Sequence, residues 1–93
     1  MKGKRKIDRE NGLVIDSVIF DEYESRELGE AWGDERVADG AIMQAQSVLA
    51  IYAIPGKWEA FSNYGRIRVD HTYNLTEGFK EDSDVLLKSD SLE

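Results

Sequence analysis

The sequence contains no cysteine, a single proline and a single histidine. Without cysteine there is no disulfide and no zinc–thiolate centre. The lone proline, Pro55, sits in "IPG" and rules out a proline-rich linker; it stops whatever element precedes it. Long apolar runs are also missing. The longest, "VLAIYAI", has seven residues, far short of a membrane span. The basic start "MKGKRKIDREN" has no apolar stretch behind it and does not read as a secretory signal. A soluble, cytoplasmic protein is therefore expected. The tripeptide "NLT" at Asn74 is read as a chance match to a glycosylation acceptor.

The chemistry-bearing motifs are absent too. No glycine-rich loop joins a strand to a helix, so no phosphate cradle is expected. No G-x-S-x-G elbow presents a nucleophile. His71 follows Asp70, but neighbours in a strand point to opposite faces, so the two should not pair. His71 is expected as a partly buried sheet histidine. Asp16, Asp21, Glu22 and Glu24 do not match a calcium loop, which alternates its acids before a glycine and a final glutamate. No metal, cofactor or catalytic residue is assigned.

What is present is charge, unevenly spread. The chain has 93 residues, 41% of them hydrophobic, and a net charge of −7. Length and composition fit one small domain of modest stability, on the order of 5 kcal/mol. Residues 1–10 carry +3, residues 11–40 carry −7, residues 41–76 carry +1, and the stretch from 77 carries −4. So acidic a chain is not built to coat nucleic acid or an anionic membrane broadly.

Hydrophobic periodicity gives the elements. The β-branched run "LVIDSVIF" (13–20) reads as a strand, and residues 1–10 as either its hairpin partner or a flexible basic arm. "SRELGEAW" (25–32) reads as a short helix capped by Ser25 and ended by Gly33, with Leu28, Ala31 and Trp32 on one face. A longer helix spans 35–53, capped by Asp34, with Val37, Ala41, Ala45, Val48 and Tyr52 at helical spacing. A buried strand at "VLAIYAI" is the rival assignment. Gly40, with Ala38 and Ala41, makes a small-residue patch where another backbone can come close. Strands 57–62 and 66–73 form a hairpin around "SNYG", with Gly65 able to take positive φ. The expected fold is α+β: a small antiparallel sheet of three to four strands, with both helices packed on one face. Residues 1–76 form the domain, and 77–93 an acidic tail with at most one helical turn at 85–88.

Two surfaces are candidates for binding. Asp21, Glu22, Glu24, Glu27, Glu30, Asp34 and Glu35 line the outer sides of the two helices. They form either a solvated face or a docking face for a partner with a basic surface, as a plain adaptor or as a mimic of duplex phosphates. The alternative is a nucleic-acid face built from Lys4, Arg5, Lys6, Trp58, Tyr64, Arg66 and Arg68, with Phe61 and Tyr73 as further stacking aromatics. The expectation is a small acidic, non-catalytic protein that binds and regulates or inhibits a macromolecular partner. Products of this type are frequent among phage and mobile-element accessory proteins, an association rather than a derivation. A small enzyme is the second alternative. An open sheet face with open edges also suits a homodimer.

Overall fold

In "LVIDSVIF" Val14, Val18 and Phe20 share one strand parity with a single acid, Asp16, which lets the strand bury one side and show the other. The computed structural model, which describes residues 1–33, 35–49 and 55–79, shows this alternation here and again over residues 66–74, in a sheet of four strands. The elements run β1 (Lys2–Asp8), β2 (Leu13–Phe20), α1 (Glu22–Trp32), α2 (Val37–Leu49), β3 (Lys57–Asn63) and β4 (Arg66–Asn74). The strands form one antiparallel sheet in the order β1-β2-β4-β3, with both helices packed on one face. This is the expected α+β architecture.

Residues 1–10 are an edge strand and its turn. The Asp8 carboxylate closes that turn by accepting from the backbone N–H of Asn11 at 3.1 Å and from its side-chain amide at 2.8 Å. These two bonds, the amide first, hold the carboxyl below its usual range. The β3–β4 hairpin turns on Tyr64 and Gly65, at φ 51° and 76°. Two consecutive positive φ values are the mark of a type I′ turn, whose twist matches the flanking strands.

Two helix boundaries differ from the sequence expectation. α1 begins at Glu22, and its cap is Asp21 rather than Ser25. Asp21 accepts from the Glu24 N–H at 2.7 Å, and the Glu24 carboxylate accepts from the Asp21 N–H at 3.0 Å. This reciprocal capping box satisfies two otherwise orphaned donors. Ser25 is instead buried inside the first turn, where its hydroxyl accepts from Ile67 N–H at 3.0 Å and ties α1 to β4. α2 starts at Val37 rather than 35. Asp34, Tyr52 and the 85–88 turn lie outside the described residues, as does most of "VLAIYAI"; Val48 and Leu49 are helical.

The core lies between helices and sheet. Val14, Val18 and Phe20 of β2 and Ile67, Val69 and Tyr73 of β4 meet Leu28 of α1 and Ala41, Ala45 and Leu49 of α2. Ala31 is exposed, so the packed face of α1 is made by Leu28 and Trp32 without it, contrary to the helical spacing. Gly40 does mark a close approach, but to a side chain: a Cβ there would collide with the Trp32 indole ring. Leu75 and Phe79 pack against the core from beyond β4.

Candidate functional site

Strand register lines up four side chains on the helix-covered face of the sheet. Arg5 lies beside Asp16, Asp16 beside His71, and His71 beside Trp58. Asp16 and His71 are completely buried. Arg5 donates to both Asp16 oxygens, Nε to Oδ1 at 2.6 Å and Nη2 to Oδ2 at 2.9 Å. The Tyr73 hydroxyl donates to Oδ2 at 2.6 Å. This bonding raises the affinity of Arg5 for its proton, and burial together with the Asp16 hydrogen bond pushes the Tyr73 phenol well above its ordinary value. Phe79 covers the guanidinium, its ring centre 5.0 Å away. His71 stacks on Trp58 with centroids 4.2 Å apart. His71 is thus fully buried rather than partly so, because two rings, Trp58 and Tyr73, lie against it on that face. Asp70 points the other way, accepting from Ser17 Oγ at 2.7 Å and pairing with Arg68 at 3.1 Å.

Asp16, His71 and Tyr73 look like a set of titratable groups in a sequence, but none of them lines the surface grooves described below. A substrate needs access and a free functional atom. Here the carboxylate is saturated by three donors and sealed under rings. Its role is to pin the edge strand β1 to the centre of the sheet.

The predicted acidic face divides in two. Asp21 and Glu24 are committed to the capping box. Glu22, Glu27, Glu30 and Glu35 are exposed on the helical side, while Asp34 lies outside the described residues. Tyr23, 65% exposed, donates to Glu27, and this bond raises its phenol above the usual value.

The outer sheet face is formed by alternate residues of all four strands. It carries Lys2, Lys4, Lys6, Lys57, Arg66 and Arg68 against Asp8, Glu59 and Asp70, a net of +3. Arg68 lies over the Phe61 ring, 4.6 Å from its centre. A groove of about 420 Å³ runs between Lys4, Lys6, Ile15 and Arg68. A second, of about 380 Å³, runs between Phe61, Tyr64, Arg66 and Arg68, and the two share Ile19 and Arg68.

No family model, curated protein or solved structure matches the chain. Its surfaces are therefore judged on their own chemistry. Of the residues proposed for a nucleic-acid face, Lys4, Lys6, Arg66 and Arg68 share the outer sheet face and Tyr64 stands at its rim. Arg5 and Trp58 do not join them; both turn to the covered face, as does Tyr73. Among the described residues, no group of three or more His, Cys, Asp or Glu side chains is placed to hold a metal ion. No helix is long and apolar enough to cross a membrane, again among those residues.

Proposed function

We propose that this protein is a non-catalytic binding module that docks a macromolecular partner of basic surface through the acids of its helical side, and so regulates or inhibits it. One observation carries this reading: among the described residues the outer sheet face is net basic while exposed acids gather about the helices. The outer sheet face holds a net +3 within a chain of −7, so the excess of acid lies elsewhere, with Glu22, Glu27 and Glu30 exposed on α1 and Glu35 exposed just before α2. A surface selected only for solubility intersperses both signs. Segregated charge instead steers encounter and fixes the orientation of docking.

The test reverses Glu27, Glu30 and Glu35 to lysine, sparing Asp21 and Glu24 because they cap α1. The fold should be unaffected, as judged by circular dichroism. Association with the basic protein retained by the wild type from its native cell extract should slow at least tenfold at low salt. The difference should shrink at physiological ionic strength, where charge reaches only about 8 Å. The matched control reverses Arg66 and Arg68 to glutamate. If the control abolishes capture while the acidic variant binds normally, the acids are only a solvated surface.

A further inference from the structure

Tyr64 stands where tyrosine is a poor choice. At φ 51° it occupies the first central position of a type I′ turn, which asparagine, aspartate or glycine fills with least strain. Left-handed backbone is unfavourable for a bulky side chain. Packing offers no compensation, because Tyr64 is 92% exposed. A strained residue that contributes nothing to the core is a pointer to contact with something outside the molecule.

The surroundings say what that something is. Tyr64 borders the groove that also contains Phe61, itself 40% exposed, Arg68 stacked 4.6 Å over its ring, Arg66, and one acid, Glu22, at the α1 end. Through Ile19 and Arg68 this groove continues into the one flanked by Lys4 and Lys6. Two of the three acids on this face are already neutralised, Asp70 by Arg68 and Glu59 by Lys57 at 3.4 Å. Lys2, Lys4 and Arg66 make no ion pair among the described residues. One track therefore offers π-faces at one end and the cations Lys4 and Lys6 at the other, on a basic face of an acidic chain. We infer that the outer sheet face, from Tyr64 and Phe61 across Arg68 to Lys4 and Lys6, is a binding site for single-stranded nucleic acid.

Bases stack on Phe61 and Tyr64, and phosphates run along Arg66, Lys4 and Lys6. Every base has a π-face, so such a site tolerates sequence. A duplex hides its bases in the stack and cannot use the aromatics. A four-stranded sheet with helices behind it is a geometry on which splayed bases are commonly read. At its Tyr64 end the site borders α1, where Glu22 lines the same groove, but its test variants change none of Glu27, Glu30 and Glu35, so either surface can fail its test without the other.

Fluorescence anisotropy of the full chain with short labelled pyrimidine oligonucleotides, RNA and DNA in separate arms, tests the site. Binding should favour a single strand over the corresponding duplex. With three phosphates neutralised, the logarithm of affinity should fall with that of salt at a slope of about −2. Tyr64→Asn should weaken binding at least fivefold, the low end for loss of one stacked base. The same variant should melt no lower than the wild type, because asparagine suits the turn. Lys4→Glu with Lys6→Glu should weaken binding further and flatten the salt slope. The proposal fails if no oligonucleotide binds at about 100 µM, the weak limit of non-specific association. It fails equally if Tyr64→Asn binds as the wild type does, or if poly-glutamate displaces the strand at matched charge, which would make this an acidic-peptide site.

Discussion

Asp16 shows how one buried charge organises its surroundings. Its side chain is wholly inaccessible and that of Arg5 is 7% exposed, so the pair is desolvated and depends on its geometry. Removing one member leaves the other charge buried, which typically costs about 3–5 kcal/mol. Asp16→Ala should therefore consume most of the stability of a domain of this size, on the order of 5 kcal/mol. Replacing the group together, as Arg5→Met, Asp16→Leu and Tyr73→Phe, should return the urea midpoint to near that of the wild type or above it. An unchanged midpoint for Asp16→Ala would refute the role given to the pair. Tyr73 adds a pH dependence. Its phenol keeps its proton in the folded state beyond the point, near pH 10, where an unfolded tyrosine releases it. Above that pH the unfolded chain binds fewer protons than the folded one, so stability falls as pH rises. Tyr73→Phe should be less stable at pH 7 by about 1.5–3 kcal/mol, the worth of a hydrogen bond to a charged group, and should lose stability less steeply above pH 10. The inward Arg5 was legible in principle. Asp16 shares strand parity with Val14, Val18 and Phe20, and a buried carboxylate demands a partner. Composition alone sorted Arg5 with Lys4 and Lys6, where parity separates it from both.

The contact between the two helices is decided at Gly40. Alanine there would gain about 1 kcal/mol of helix propensity. Its methyl would also meet the Trp32 ring head-on, and overpacking costs about 1–3 kcal/mol. The clash wins because the indole is broad and held beneath Arg36, whose guanidinium lies 5.5 Å from the ring centre. Gly40→Ala should lower the melting temperature. In a Trp32→Ala background the same change should raise it, and that reversal in a double-mutant cycle is the readout. If Gly40→Ala stabilises the wild type, Trp32 does not pack there. At this scale the strands were readable, since period-two alternation survives in β2 and β4. The start of α1 was not. Its capping box, Asp21 to Glu24, lay within a run of acids that reads equally well as a surface, while Ser25 offered the more conventional cap. The sheet order was hidden as well, because β2 and β4 meet through side chains far apart in sequence.

For the whole molecule, net charge misleads. A chain of pI about 4.7 should be repelled by a sulfonate cation exchanger at pH 7. With six of its twelve cations gathered on the outer sheet face, this protein should nevertheless be retarded on that resin at low ionic strength, while also binding an anion exchanger. Lys4→Glu with Lys6→Glu should abolish the retardation, since exposed charges act within a Debye length of the matrix. Elution of wild type and variant together in the void would show that the basic face does not act as a unit. The sequence foretold an imbalance between segments but not its separation between sheet face and helices, because that depends on which strand residues face outward.

The central β2–β4 pairing also sets how quickly the protein forms. Each hairpin and each helix closes locally, within a few residues. The seam that joins the two halves does not: Ser17 and Asp70 are 53 positions apart, and Asp16 and Tyr73 are 57. That loop entropy must be surrendered before the seam returns any stabilisation, so folding waits on a single distant encounter. The two hairpins can come and go many times before they meet. A chain cut between α1 and α2 would then carry two separately formed pieces, with the waiting time set by their concentration instead of by the tether.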